Sequence, residues 1–110
     1  MAVIGVGTDV VDIGRVHALL ARDPPGQCFR TRMFTAGERQ DCERRRRCAE
    51  FCAGRFAAKA AVNEALGGPA VRLHGRAAVR ARQRRIERLH VSIAHGAGVA
   101  IAQVVAEGTR

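Results

Sequence analysis

The stretch CAEFCAGRFAAKAAVNEALGGP, residues 48–69, leaves the chain one local option. It is rich in alanine, the best helix former, and holds no proline before its end. Cys52, Phe56, Ala60, Asn63 and Leu66 recur at steps of three or four, with Phe51 beside them, which predicts one stripe along a helix over 48–66. Gly67 and Gly68 end that helix and Pro69 prevents its return. A helix gains most of its stability by laying such a stripe on another layer, so the rest of the chain must supply one.

Strands are written at both ends. Residues 2–12 are apolar and β-branched with two glycines, which predicts a buried strand interrupted by Asp9. A carboxylate there needs a cation, a metal or hydrogen-bond donors, or else a backbone cap at the strand end. Residues 89–107 read as two strands joined at His95-Gly96-Ala97-Gly98. Between these ends, Ile13, Val16, Leu19 and Leu20 share one face of a helix over 13–22, and residues 23–27, DPPGQ, break it. Thr35 and Glu38 form a capping box that starts another helix. Arg44 to Arg47 follow, either a solvated surface or a contact for an acidic partner or a phosphate. Residues 70–75 read as a short strand and 76–88 as a basic helix.

The 110 residues make one small domain, 1–110, whose modest core gains from association with other copies. The net charge of +9 suggests polyanionic partners: nucleic acid, an acidic protein or a phosphate-rich cofactor. Nucleic acid is disfavoured, because no aromatic residues interleave the basic ones and no nucleic-acid-binding signature is present. Eighteen of the nineteen basic residues are arginine, a bias that fits a GC-rich coding sequence. The N-terminus lacks the basic-then-apolar order of a signal peptide, and no apolar run reaches membrane-spanning length, so a cytoplasmic location is expected. The cysteines, Cys28, Cys42, Cys48 and Cys52, are then expected as reduced thiols. Cys48 and Cys52 share a helix face, but no Cys-x-x-Cys occurs, so buried free thiols are favoured over a zinc site.

Five segments occur in the order of one known family: GVGTDVVDIGRV, F-R-x-R-x-F-T-x-x-E from Phe29, AGRFAAKAA, PAVRLHGRA and HVSIAHGAGVAIAQVV. Together they resemble holo-acyl-carrier-protein synthase, the small 4′-phosphopantetheinyl transferase, over nearly the whole chain. The resemblance implies an α+β fold, a long helix packed on a small antiparallel sheet, and a homotrimer with its active sites between subunits. It also implies binding of coenzyme A and Mg²⁺, and transfer of the phosphopantetheine arm to a serine of an acidic acyl carrier protein. The position of Arg15 suits that partner.

The same resemblance exposes departures. Lys59, the only lysine in the chain, matches the family's lysine. The glutamate that follows it in the family, which holds the metal with the aspartate at Asp9, is replaced by Ala60. The lysine four positions beyond that glutamate is replaced by Glu64. The family carries further residues, including a strand, where Gly68 runs into Pro69, and an acidic residue where Gly96 follows His95. A unit charge at about 4 Å and an effective dielectric near 20 is worth roughly 4 kcal/mol, so reversing one beside a pyrophosphate costs orders of magnitude in rate. Helical side chains lean toward the N-terminus, so Glu64 leans toward Ala60 and can stand in for the missing carboxylate.

Three readings follow. In the first, the interface cleft is repurposed for cyclisation or isomerisation of a hydrophobic, polyketide-like or carrier-tethered molecule, with no cofactor required. Asp9, Lys59, Glu64 and His95 are its candidate catalytic residues, and Arg15, Phe56, Ala60 and Ser92 its candidate binding residues. In the second, the transferase works with an altered metal site of Asp9 and Glu64. In the third, the chain is a scaffold without catalysis.

Overall fold

Gly5 and Gly7 decide how the two layers meet. The computed structural model describes residues 1–22, 28–67 and 84–109. Its first strand, β1 (Ala2–Asp12), leads into α1 (Ile13–Arg22), α2 (Cys28–Met33), α3 (Ala36–Glu43), α4 (Cys48–Ala65), β2 (Ile86–Gly96) and β3 (Val99–Gly108). The strands form one antiparallel sheet in the order β1-β3-β2. Helix α4 lies across one face of it, which makes the fold α+β as expected. A Cβ on Gly5 would sit 1.9 Å from the Ala65 carbonyl oxygen, and one on Gly7 1.8 Å from that of Ala61. Only glycine lets the helix backbone approach the strand this closely.

This contact turns the helix only part-way from the stripe expected from spacing, of which Cys52, Asn63 and Leu66 are buried as expected. Ala49, Ala53, Ala57, Ala61 and Ala65 are buried at four-residue steps, whereas Phe51, Phe56 and Ala60 are only half-buried. Small side chains make the inner ridge because the strand offers no room for larger ones. Alternate residues of β3, Ala100, Ala102, Val104 and Ala106, complete the layer beneath. A second cluster gathers Val16, Leu20, Phe34, Cys42 and Cys52 where α1 and α3 meet α4. Phe51 is instead covered by guanidinium groups, Arg45 at 4.2 Å and Arg55 at 5.0 Å from its ring centre. Asn63 is buried with no hydrogen-bond partner for its amide nitrogen among the described residues.

The local signals mostly act as their chemistry dictates. Glu38 N–H donates to the Thr35 hydroxyl at 3.2 Å, and Thr35 N–H donates to the Glu38 carboxylate at 2.8 Å. The hairpin between β2 and β3 turns through Ala97 and Gly98, both at positive φ, at the expected place. The expected basic helix over 76–88 is corrected at its end. Ile86, Glu87 and Arg88 belong to β2, held by pairing with Gly108 and Glu107. Arg84 and Arg85 form a turn, with Arg85 at positive φ. The remaining part, 76–83, lies outside the described residues, as does the expected strand over 70–75.

The cysteines also differ from expectation. Cys42 and Cys48 form a disulfide, and Cys52 is free and buried. Helix α4 starts after a four-arginine turn that brings the two Cα atoms to 4.8 Å, within disulfide reach. Burial pushes the Cys52 thiol up to about 11.

The sheet face away from α4 is left uncovered by the described residues. Val3, Val6, Val10 and Ile101 are exposed there, on residues that pair directly or alternate across β1 and β3. No helix among the described residues is long and apolar enough to cross a membrane.

Candidate active site

The end of β1 and the first turns of α1 diverge over α4 and leave a cleft of about 420 Å³. Asp9, Asp12 and Arg15 supply its charge, and Val11, Val16, Leu19 and Phe56 its apolar walls. The polar groups arrive by strand and helix geometry. Gly5, Gly7, Asp9 and Val11 alternate onto the side of β1 that faces α4. Asp12 ends the strand and accepts the Gly14 N–H at 3.0 Å, which starts α1 and carries Arg15 round to the rim.

Asp9 is half-buried, and its carboxyl is raised above the usual value. Burial is the main cause, the backbone N–H of Val10 opposes it, and the charge of Glu64 adds to it. The Glu64 carboxylate therefore acts on Asp9 from one end of α4, although Glu64 is exposed and outside the cleft lining. Carboxylate oxygens are donors of the kind Mg²⁺ accepts, and Asp9 and Asp12 both line the cleft, so the donor chemistry there suits that ion.

Lys59 is directed elsewhere. Its ammonium donates to the Glu38 carboxylate at 2.5 Å and to the Met33 carbonyl at 2.9 Å, and lies 5.6 Å from the centre of the Phe34 ring. The expected catalytic lysine is thus a clamp that ties α4 to the end of α2 and the first turn of α3. Burial would raise the Glu38 carboxyl, but the Lys59 and Thr35 hydrogen bonds and the Lys59 charge hold it below its usual value. A lowered carboxylate stabilises the fold above its unfolded-state pKa, and the contribution is lost as pH falls through the folded-state value. Lys59→Met should therefore cost about 1–3 kcal/mol at neutral pH, through a half-buried carboxylate left without its ammonium partner. The loss should shrink below about pH 4 in urea denaturation, as Glu38 becomes protonated. A loss that stays constant with pH would contradict the clamp.

His95 and Ser92 are not gathered into the cleft. Strand β2 sends them to opposite faces. His95 packs toward α4, with Nδ1 3.8 Å from Glu50 and Nε2 close above Gly54. Ser92 is exposed on the uncovered face. Of the expected site residues, Asp9, Arg15 and Phe56 line the cleft, Glu64 reaches it through its charge, and Ala60 is outside the lining. Asp12 was missed. Its place at the strand-to-helix junction, three residues after Asp9, is the signal that could have found it.

Sequence relatives give the family. A holo-acyl-carrier-protein synthase of Anaeromyxobacter sp. strain K is 37% identical over 125 residues, covering 97% of this chain and 98% of its own. The chain belongs to the holo-acyl-carrier-protein synthase family. A second member, from Frankia casuarinae, is 40% identical over 97% of this chain and 99% of its own. Both alignments are longer than this chain's 110 residues, so they open gaps in it. No family model matches the sequence. Among solved structures, the synthase of Neisseria meningitidis superposes with a TM-score of 0.80 at 26% identity, over 96% of this chain and 99% of that one. The synthase of Bacillus anthracis in complex with coenzyme A (3′,5′-ADP) gives 0.71 at 28% identity, over 97% and 98%.

Proposed function

We propose that the protein transfers 4′-phosphopantetheine from coenzyme A to a serine of an acidic acyl carrier protein. The observation that carries this is the cleft at the end of β1, where Asp9, Asp12 and Arg15 stand over apolar walls in a fold shared with synthases that bind coenzyme A. The serine hydroxyl gives up its proton to solvent as its oxygen forms a bond to the phosphorus that bears the pantetheine arm. The bond from that phosphorus to the bridging oxygen breaks, and 3′,5′-ADP leaves with the oxygen and its electron pair. Mg²⁺, when bound, neutralises charge on the pyrophosphate. Asp9 is the residue that would hold it, with Glu64 as the nearby second carboxylate. Arg15 faces the anionic substrate or the acidic carrier at the rim. Phe56, Val16 and Leu19 exclude water from one side of the cleft.

The reading as a cyclase or isomerase has no support from the relatives, and the charged residues of the cleft do not favour the purely apolar ligand it needs. The transfer reading replaces it. A scaffold role has no observation in its favour.

Incubation with coenzyme A, Mg²⁺ and an apo acyl carrier protein should add the phosphopantetheine mass to the carrier and release 3′,5′-ADP. Glu64→Ala should raise the Mg²⁺ concentration needed for half-maximal rate about tenfold, since it removes one of few carboxylates near the ion. An unmodified carrier with several carrier proteins would end this reading.

The quaternary state proposed with it is a homotrimer. Its support is the uncovered apolar face formed by Val3, Val6, Val10 and Ile101, together with a core built largely of alanine. Light scattering at micromolar concentration should return about three times the 11.8 kDa chain mass. A monomer would exclude it.

A further inference from the structure

Three sulfur atoms converge at the corner between α3 and α4, away from the cleft. The Sγ atoms of Cys42, Cys48 and Cys52 all lie within 4.8 Å of one another. Cys42 is bonded to Cys48, and the Cys52 thiol stands 2.9 Å from the Cys42 sulfur. Cys42 and Cys52 are buried, and Cys48 is half-buried at the edge. The transfer chemistry uses none of them.

The placement is built by two helices. Cys48 and Cys52 are one turn apart on the same face of α4, and Cys42 reaches them from the last turn of α3. Phe34, Ala49 and Ala53 belong to the same buried cluster, so the sulfurs sit in an apolar shell. No histidine or carboxylate joins them among the described residues. Three sulfur donors without nitrogen or oxygen select soft ions, and Cu(I) above harder divalent ones. Zinc prefers four ligands, and only three converge among the described residues. Arg30 is near enough for its charge to favour the Cys52 thiolate.

We propose that the reduced protein binds one Cu(I) ion through the thiolates of Cys42, Cys48 and Cys52, and that the Cys42–Cys48 disulfide is the metal-free, oxidised state of the same site. Reduction by a phosphine in water adds two electrons and two protons to the disulfide and converts the phosphine to its oxide. Cu(I) then displaces the three thiol protons to solvent and is itself neither oxidised nor reduced. The ion ties the end of α3 to the first turns of α4 at the place the disulfide holds them. The bridge and the ion exclude each other, because the sulfur electron pairs engaged in one are not free for the other.

The test uses the full chain, reduced with a phosphine under nitrogen and titrated with Cu(I) held by a coloured chelator. One equivalent should move from the chelator to the protein, with a new thiolate-to-copper absorption in the near ultraviolet. The unreduced protein should take up none. Cys48→Ser, at the half-buried sulfur, should weaken retention at least ~100-fold, more than loss of an outer-shell partner does. It keeps the test readable if the buried Cys52→Ser variant does not fold. Cys28→Ser should retain full uptake. No transfer from the chelator overturns the proposal, as does equal uptake by the unreduced protein or by Cys48→Ser. Loss of uptake in Cys28→Ser overturns the three-sulfur assignment, as does a zinc-loaded protein that Cu(I) cannot displace.

Discussion

Asp9→Asn is expected to lower kcat/KM for carrier modification at least ~100-fold, which corresponds to about 2.7 kcal/mol of lost transition-state stabilisation. Asparagine keeps the shape of the side chain and removes its charge, so the cleft stays open while its best-placed carboxylate becomes neutral. The fold should not suffer. Burial first, and Glu64 next, raise the Asp9 carboxyl, so the folded chain holds that proton more tightly than the unfolded chain does. For a raised carboxyl the stabilising contribution is present below the unfolded-state pKa and is lost as pH rises through the folded-state value. At neutral pH the charged Asp9 is therefore a burden, and asparagine resembles the relieved form. The melting temperature of Asp9→Asn should equal or exceed that of the parent. Activity within tenfold of the parent, or a melting point well below it, would remove Asp9 from the role given to it.

Gly7→Ala should unfold the protein at a temperature at least ~10 °C lower, for a loss of about 3 kcal/mol or more in a chain of this size. The new Cβ would fall 1.8 Å from the Ala61 carbonyl oxygen and 2.7 Å from its carbon. Both are backbone atoms of α4, so no flexible side chain can give way. The helix must lift from the sheet and thin the contacts of Ala57, Ala61 and Ala65 with β3. Gly96→Ala is the control. Its Cβ would meet nothing within 4 Å, and it should change stability by no more than about 0.5 kcal/mol. Thermal unfolding followed by circular dichroism separates the two, and equal melting points would show that the close approach at Gly7 is not needed.

What is local in the chain was legible before the fold. Thr35 and Glu38 cap a helix because each holds the donor or acceptor the other lacks, three residues away. Helix α4 and its stop at Gly67, the strand over 2–12 and the turn at Ala97-Gly98 follow from propensity, period and punctuation. Asp9 was legible as a site because a carboxylate in an apolar strand has a cost that something must offset. Arg15 and Phe56 came from the family resemblance. The remainder depended on partners distant in sequence. Phe56 and Ala60 carry the more conspicuous spacing, yet the alanine ridge turns inward because Gly5 and Gly7, more than forty residues away, admit nothing larger. Lys59 was legible only as the family's lysine, and its hold on Glu38 and the Met33 carbonyl appears only once the chain is folded. The order β1-β3-β2 and the meeting of three sulfurs at one corner rest on the same cause. Sequence spacing dictates which residues share a face of their own element, whereas which faces touch is decided by shape and charge across the whole chain.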